Sequence, residues 1–210
     1  MSDRNGKNKK KAAVFLDRDG TINEQMGYIN HISRFQMLAG AAEAIARLNR
    51  EDIPVVVVSN QSGLARGYFP EELLHQVHDK MNRLLAAAGA HIDGLYWCPH
   101  HPDARVERFK KQNCGCRKPG AGLLKQAAEE LGLDLGRSYM VGDRWSDLQC
   151  GVRAGAVPIL VLTGYGRGDL EYIGREQQVQ PAHVAADLPD AAAWIINRIA
   201  QFRKGSNSGC

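Results

Sequence analysis

The sequence predicts an α/β fold: a three-layer sandwich in which helices cover both faces of a mainly parallel β-sheet. Three observations lead to this prediction. Short β-branched runs alternate along the chain with longer amphipathic segments. The short runs are continuously apolar, which is typical of strands that are buried on both faces. Polar residues follow the ends of several of these runs, where open α/β sheets place their ligands.

Five short runs rich in valine, isoleucine and leucine are the expected strands, and one of them contains four consecutive valines. Such runs fit the centre of a parallel sheet, where side chains on both faces are covered by helices. The strands are expected at residues 12–16, 54–59, 94–97, 138–141 and 158–162.

The segments between the strands have helical periodicity, and the clearest is residues 71–88, where apolar side chains recur every three or four positions. Pro70 suits its first turn and Gly89 its end. His75 and His78 are expected on the exposed side of this helix. Alternation of strands and helices predicts right-handed crossover connections. Further helices are expected at residues 41–49, 123–131, 146–154 and 189–199.

A single domain is expected over residues 12–203, because 210 residues with 44% hydrophobic content can bury one substantial core. Residues 1–11 are expected to form a basic disordered tail, and residues 204–210 a loose C-terminal tail. The formal net charge is +4, and four lysines of the N-terminal tail supply most of it, so no nucleic-acid partner is expected. No apolar stretch approaches the ~18 residues of a membrane helix. We therefore expect a cytoplasmic monomer with no membrane partner.

Two acidic residues follow the first expected strand directly. Side chains two positions apart on an extended chain point the same way, so Asp17 and Asp19 can face one site. Two neighbouring carboxylates repel each other, and a divalent cation is the simplest way to hold both. Gly20 then permits a tight turn. An Asp-Gly turn with no further role explains this segment equally well when it is taken alone.

Other strand ends carry complementary chemistry. Hydroxyl and amide groups after the second strand suit phosphate oxygens, and two cations stand just before a helix N-terminus, which also favours an anion. Two further acids follow the fourth strand, so a metal site can draw on both ends of the chain. Each piece alone also fits a capping residue or a surface charge, but the four together favour a phosphate site. The residues are Ser59, Asn60 and Gln61, then Arg117 and Lys118, then Asp143 and Asp147.

The order of these motifs resembles that of the haloacid dehalogenase superfamily. The resemblance runs from about Val14 to Leu162 and rests on Asp-x-Asp-Gly-Thr at residues 17–21, then Ser59, Lys118 and Gly-Asp-x-x-x-Asp at residues 142–147. It implies a Rossmann-like core and phosphoryl transfer to an aspartate. No large insertion follows Thr21 or Ser59, so no cap domain is expected.

The resemblance implies roles for the motif residues. Asp17 would be the nucleophile that forms an aspartyl phosphate, and Asp19 the acid and base. Ser59 and Lys118 would hold the phosphoryl oxygens. Mg²⁺ would be held by Asp17, the main-chain carbonyl of Asp19, and Asp143. Asp147 would orient Lys118 or the waters of the metal.

Three cysteines and a histidine crowd one polar segment, which has little helix or strand pattern. Three thiolates and one imidazole form a tetrahedral zinc set, and four protein ligands make the site structural. The zinc would pin a loop that has no hydrophobic core and so fix Arg117 and Lys118 beside it. Reduced cysteines without a metal are the alternative. The four expected ligands are Cys98, His100, Cys114 and Cys116.

The cysteine loop is similar to that of one branch of the superfamily, which contains heptose bisphosphate 7-phosphatases and histidinol-phosphate phosphatases. The long gap between His100 and Cys114 is closer to the heptose enzymes. The resemblance implies a small phosphorylated sugar as substrate, in the synthesis of lipopolysaccharide precursors. Histidinol phosphate is the alternative substrate, and a zinc-stapled binding module without catalysis is the alternative of another class. The expected substrate-binding residues are Gln25, Gly27, Tyr28, Asn60, Gln61, Arg117 and Arg144.

Overall fold

The computed structural model describes residues 10–207, with the side chains of residues 10–203. Its centre is a six-stranded sheet in the order β3-β2-β1-β4-β5-β6, and every neighbouring pair is parallel. The reversal of strand order at β1 and β4 opens the crevice in which such folds bind ligands. The strands are β1 (Val14–Leu16), β2 (Val55–Asn60), β3 (Gly94–Cys98), β4 (Tyr139–Gly142), β5 (Val157–Val161) and β6 (His183–Ala185).

Helices cover both faces of this sheet. Because successive strand residues point to opposite faces, Val14 and Leu16 join one buried cluster and Ala13 and Phe15 the other. The first cluster includes side chains of the helices at residues 41–50, 71–87 and 188–207, and the second includes side chains of the helices at residues 122–130 and 145–154. The helices are α1 (Ala41–Arg50), α2 (Ser62–Ala65), α3 (Glu71–Ala87), α4 (Gly122–Glu130), α5 (Trp145–Ala154), α6 (Gly166–Gly168) and α7 (Leu188–Asn207). Short 3₁₀ turns at Ile32–Arg34, Glu107–Phe109, Leu135–Arg137 and Gly174–Glu176 and a π-helical turn at Asp169–Ile173 complete the elements.

The predicted fold class is confirmed. All five predicted strands and all five predicted helices form, with boundaries that differ by one or two residues except at the end of α7. The short strand β6 was missed, because three residues are too few for a periodic pattern. Among residues 10–207 no separate cap domain is present, and no helix there is long and apolar enough to cross a membrane.

The structure differs from the sequence predictions at both ends of the chain and at one residue of α3. Helix α7 continues to Asn207, four residues into the predicted C-terminal tail, while residues 1–9 and 208–210 lie outside the described part of the chain. Lys11, predicted to belong to the basic tail, pairs with Asp52 at 2.7 Å. The prediction for His78 was wrong. Its side chain is 5% exposed, whereas His75 is exposed as expected.

The carboxyl ends of β1, β2 and β4 meet at one edge of the sheet. Leu16 pairs with Val57 on one side and with Val141 on the other, and the amide of Asp17 donates to the carbonyl of Val141 at 2.9 Å. This register brings the residues that follow the three strands together. The loop before α4 approaches the same edge and contributes Lys118.

Candidate active site

A buried lysine lies at the centre of the site. Its ammonium Nζ is 2.7 Å from Asp17 Oδ1 and 2.7 Å from Asp147 Oδ1, and it donates to the carbonyl of Val58 at 2.9 Å. Burial alone would lower the pKa of Lys118, but the two carboxylates outweigh it and raise the pKa above its ordinary value. Lys118 therefore carries a positive charge and joins three segments that are far apart in sequence.

Three carboxylates converge beside this lysine. Each of Asp17, Asp143 and Asp147 offers an oxygen, and the three oxygens lie within 4.8 Å of one another. Burial and the neighbouring acids raise the pKa of Asp17 to about 6, although Lys118 opposes the shift. Burial, then Asp17 and Asp147, raise the pKa of Asp143 to about 8. One ammonium does not balance three carboxylates at this density, so the cluster fits a divalent cation.

A second observation supports a cation here. Asp143 Oδ2 accepts from the amide of Tyr165 at 2.8 Å, but its Oδ1 is buried and has no hydrogen-bond partner among the described residues. Such an atom needs a ligand. The predicted acids Asp17 and Asp143 thus belong to one cluster. Asp147, which was predicted to orient Lys118, contacts that lysine and also lies within the cluster. The third predicted Mg²⁺ ligand, the carbonyl oxygen of Asp19, is engaged among the described residues by a long 3.5 Å contact from Gln25 Nε2.

Gly20 keeps the first loop close to Asp143. Its φ of +87° is one that side chains rarely adopt, and an added Cβ would collide with the Asp143 carboxylate. Gly164 approaches the same carboxylate oxygen, and an added Cβ there would also collide with Gly20, so main chain from two loops packs closely against the acid. The Asp-Gly turn therefore has a packing role at the site.

We expect Gly20→Ala to reduce Mg²⁺-dependent phosphate release by roughly 100-fold, because the methyl group displaces Asp143 by about 1 Å. Gly155 is the matched control: its φ is also +87°, but an added Cβ meets nothing within 4 Å. Both substitutions cost about 1 kcal/mol of backbone strain. Equal activities for Gly20→Ala and Gly155→Ala, measured at saturating Mg²⁺, would show that crowding at Asp143 is unimportant.

Asp19 is held away from the three-acid cluster by a network of donors. Arg18 contacts both carboxylate oxygens, with Nη2 at 2.9 Å from Oδ1 and 2.8 Å from Oδ2. Asn23 donates to Oδ1 and Gln61 to Oδ2, each at 3.0 Å. Burial acts to raise the pKa of Asp19, but Arg18 and these hydrogen bonds together hold it below its ordinary value. Asp19 is therefore ionised at neutral pH.

The polar residues at the end of β2 divide into two groups. Ser59 is 2% exposed, and its Oγ accepts from Gln61 Nε2 at 2.8 Å, so both face the site. Asn60 lines the same pocket, but its amide is engaged with Lys118: Oδ1 accepts from the lysine amide at 3.0 Å, and Nδ2 donates to the lysine carbonyl at 3.1 Å. These two bonds fix the main chain of Lys118 against the end of β2.

A pocket of about 590 Å³ opens over these groups. All predicted substrate-binding residues line it, together with Asp17, Asp19, Ser59 and Lys118. Tyr28 is 38% exposed at its rim and meets Tyr68 edge-to-face, with ring centroids 4.7 Å apart. The guanidinium of Arg144 lies 4.6 Å from the ring centroid of Tyr165. The predicted substrate residues in its lining are Gln25, Gly27, Tyr28, Asn60, Gln61, Arg117 and Arg144.

Several lining residues were not predicted from the sequence. Arg66 adds a guanidinium to those of Arg18, Arg117 and Arg144, and its Nη2 lies 2.9 Å from His101 Nε2. Its position one turn beyond the polar end of β2 was the available signal. Phe69, Trp145 and Asp169 also line the pocket, but side chains of these types give no pattern that separates them from core or capping residues.

The cysteine loop forms a compact ligand cluster. Ligand atoms of Cys98, His100, Cys114 and Cys116 lie within 4.8 Å of one another, and all three cysteines are free thiols. The sulfur–sulfur distances are 2.9 to 3.7 Å, and His100 Nδ1 lies 3.3 Å from Cys114 Sγ. Three sulfurs and one ring nitrogen match a four-coordinate zinc site. This cluster can hold a metal beside Arg117.

Comparisons with known proteins agree with this geometry. Residues 115–191 match the family model described as HAD-hydrolase-like. The chain is 42% identical over 193 residues, 91% of its length, to the D-glycero-β-D-manno-heptose-1,7-bisphosphate 7-phosphatase of Photorhabdus laumondii, covering 93% of that protein. The chain belongs to the HAD-like hydrolase family. It is also 39% identical to the enzyme of the same name from Escherichia coli K12, over 90% of this chain and 91% of that one.

Solved structures place this HAD-like hydrolase in the same group. The D,D-heptose 1,7-bisphosphate phosphatase of B. bronchiseptica, complexed with magnesium and phosphate, is 36% identical, with a TM-score of 0.79 over 89% of this chain and 99% of that one. The Burkholderia thailandensis phosphatase of the same name has 34% identity and a TM-score of 0.65, over 89% and 99% of the two chains. Like these relatives, the HAD-like hydrolase described here is a phosphatase that cleaves phosphoric monoesters.

Proposed function

We propose that the protein removes the 7-phosphate of D-glycero-D-manno-heptose 1,7-bisphosphate through a phosphoryl intermediate on Asp17. The observation that carries this proposal is the convergence of Asp17, Lys118 and Asp143: the first two line a pocket that guanidinium groups also line, and Asp143 is buried beside them. The relatives that carry this activity in their names match nine-tenths of the chain.

The first chemical step is attack of an Asp17 carboxylate oxygen on the phosphorus. A phosphorus–oxygen bond to Asp17 forms as the bond to the sugar oxygen breaks. Lys118 pairs with the carboxylate and holds it towards the pocket, while Ser59 and Lys118 donate to the phosphoryl oxygens. Asn60 supports this step indirectly by fixing the main chain of Lys118.

Asp19 transfers the protons of both steps. It gives a proton to the departing sugar oxygen, then takes one from the water that attacks the phosphoaspartate and frees Asp17. The low pKa of Asp19 suits the second task, since the carboxylate is ready to accept a proton. Entry of an anionic phosphate beside Asp19 favours its protonated form, which prepares the first task.

Mg²⁺ and Zn²⁺ are the proposed cofactors. Asp17, Asp143 and the carbonyl of Asp19 would hold Mg²⁺, which neutralises charge between the carboxylates and the phosphate when it is bound. Cys98, His100, Cys114 and Cys116 would hold Zn²⁺ and brace the loop that leads to Lys118. The proposed cellular location is the cytoplasm, and the proposed oligomeric state is a monomer.

The charge of the pocket favours the sugar bisphosphate over histidinol phosphate. Lys118 and Arg18 are paired with acids that also line the pocket. Arg66, Arg117 and Arg144 line it without an ion pair among the described residues, and they suit a substrate with a second phosphate. Histidinol carries an amine that is cationic at neutral pH, and three guanidinium groups repel such a group. An open pocket with Tyr28 at its rim leaves room for the body of a sugar.

The test is a comparison of phosphate release from the two compounds with Mg²⁺ present. We expect kcat/KM for the heptose bisphosphate to exceed that for histidinol phosphate by roughly 100-fold or more. Phosphorus NMR of the product should show that the 1-phosphate remains. A preference for histidinol phosphate, or release of the 1-phosphate, would reject the proposed substrate.

A further inference from the structure

A buried histidine behind the pocket contacts the catalytic loop. His78 lies on α3, is 5% exposed, and is absent from the pocket lining. Its Nε2 is 3.2 Å from Nη1 of Arg18, the residue between the two acids of the first motif. Because a guanidinium can only donate, Nε2 accepts this bond, and the ring proton belongs on Nδ1.

Arg18 is shared between His78 and Asp19. Its side chain is 2% exposed, its Nη2 contacts both oxygens of Asp19, and its Nε approaches Oδ1 at 3.3 Å. The remaining terminal nitrogen, Nη1, reaches His78. The guanidinium is therefore held at both ends, and its plane sets the direction of the Asp19 carboxylate.

The surroundings keep His78 in the form that can accept. Burial, then the charge of Arg18 and the neighbour His75, lower the pKa of His78 to about 3, although the charge of Asp19 opposes the shift. Trp97 of β3 packs on the ring, with centroids 5.5 Å apart. A neutral ring with an unprotonated Nε2 is thus present across the physiological pH range.

We propose that His78 is a positioning residue, which holds Arg18 so that Asp19 faces the leaving oxygen of the substrate. The proposal rests on the function proposed above for Asp19. Nothing else among the described residues accepts a hydrogen bond from Nη1 of Arg18. Without His78 the guanidinium is held only through Asp19, and Asn23 and Gln61 alone then set the direction of the carboxylate less firmly.

The test uses the dependence of the rate on the leaving group. A sugar oxygen needs a proton as it departs, whereas the phenolate of p-nitrophenyl phosphate is a weak base and needs little help. For His78→Leu we expect kcat/KM on an alkyl phosphate to fall about tenfold or more, a part of the roughly 100- to 10,000-fold that a general acid supplies. For p-nitrophenyl phosphate the fall should stay within about threefold.

Two further variants separate positioning from packing. His78→Gln keeps an oxygen that can accept from Arg18 and should restore alkyl phosphate turnover to within about threefold of the unaltered protein. His75→Leu is the matched control, since His75 also contacts Trp97, at 5.6 Å between centroids, but does not reach Arg18. It should change neither substrate's kinetics. Equal losses for both substrates in His78→Leu, or no rescue by glutamine, would overturn the proposal.

The contact between His78 and Arg18 can also be tested without substrate turnover. Side-chain NMR of ¹⁵N-arginine, assigned with Arg18→Lys, should show hindered rotation of the Arg18 guanidinium in the unaltered protein and in His78→Gln. Faster rotation is expected in His78→Leu, and in His78→Met if leucine packs poorly, because only the contacts with Asp19 then remain. Rotation as slow in these apolar variants as in the unaltered protein would overturn the proposal. Failure of the heptose bisphosphate as substrate would reject only the proposed function, because any hydrolysed alkyl phosphate serves the comparison.

Discussion

Asp17→Asn should lower Mg²⁺-dependent kcat about 10,000-fold or more, because a neutral amide oxygen is a far weaker nucleophile than a carboxylate oxygen. The fold should survive. Asparagine has the same shape, Lys118 keeps its contacts with Asp147 and the Val58 carbonyl, and repulsion among the acids decreases. We expect a change of about 1–2 kcal/mol in the free energy of unfolding, the cost of one charged hydrogen bond.

Phosphate release and thermal unfolding of the same preparations check this expectation. Asp79→Asn is the control, since Asp79 is exposed on α3 and lies outside the active-site pocket. Borohydride reduction during turnover should trap the intermediate, and mass spectrometry should find the modified residue in the peptide that contains Asp17. A folded Asp17→Asn protein with a tenth of normal turnover, or a label elsewhere, would remove Asp17 as the nucleophile.

Much of the fold could be predicted because its signals are local and redundant. Valine-rich runs such as residues 55–58 are unfavourable in contact with water, so they predict buried strands. Helical periodicity identifies α3 independently of its neighbours. Strand β6 carries no such signal, and its place depends on pairing with β5 through Ile159 and His183. The end of α7 was missed because residues 204–207 contain polar types that are common in tails.

The site residues that lie at the ends of strands were predicted from the sequence. Asp17 and Asp143 follow β1 and β4, Ser59 lies near the end of β2, and parallel strands bring these ends to one edge. Lys118 follows no strand, and it was predicted from its position just before a helix N-terminus together with the resemblance to the family. The hydrogen bonds of Asn60 to its main chain could not be read from the sequence, because they join loops 58 positions apart.

The burial of His78 could have been predicted from the sequence. It follows Leu74 by four positions and precedes Met81 by three, so it belongs to the buried stripe of α3. A polar residue in such a stripe needs a buried partner. Its partner, Arg18, occupies the variable position of the Asp-x-Asp motif, and nothing in that motif indicates a buried contact with α3.

The second large effect is expected for Lys118→Met. Methionine fills a similar volume but leaves Asp17, Asp143 and Asp147 without a cation from the chain, and removing one partner of a buried ion pair costs about 3–5 kcal/mol. Turnover should fall about 100- to 1,000-fold, the range for loss of one donor to a developing oxyanion. Lys125→Met is the control, since Lys125 is exposed on α4.

The pH dependence of this loss identifies its cause. Asp17 and Asp143 have raised pKa values, about 6 and about 8, so the folded protein binds their protons more tightly than the unfolded chain does. Their charged forms therefore destabilise the fold above pH 8, and this cost disappears as the pH falls towards 4. Without Lys118 the repulsion grows, so lowering the pH in Mg²⁺-free buffer should stabilise Lys118→Met more than the unaltered protein. If the two melting temperatures keep a constant difference between pH 8 and pH 5, the lysine stabilises the site by packing and not by balancing its three acids.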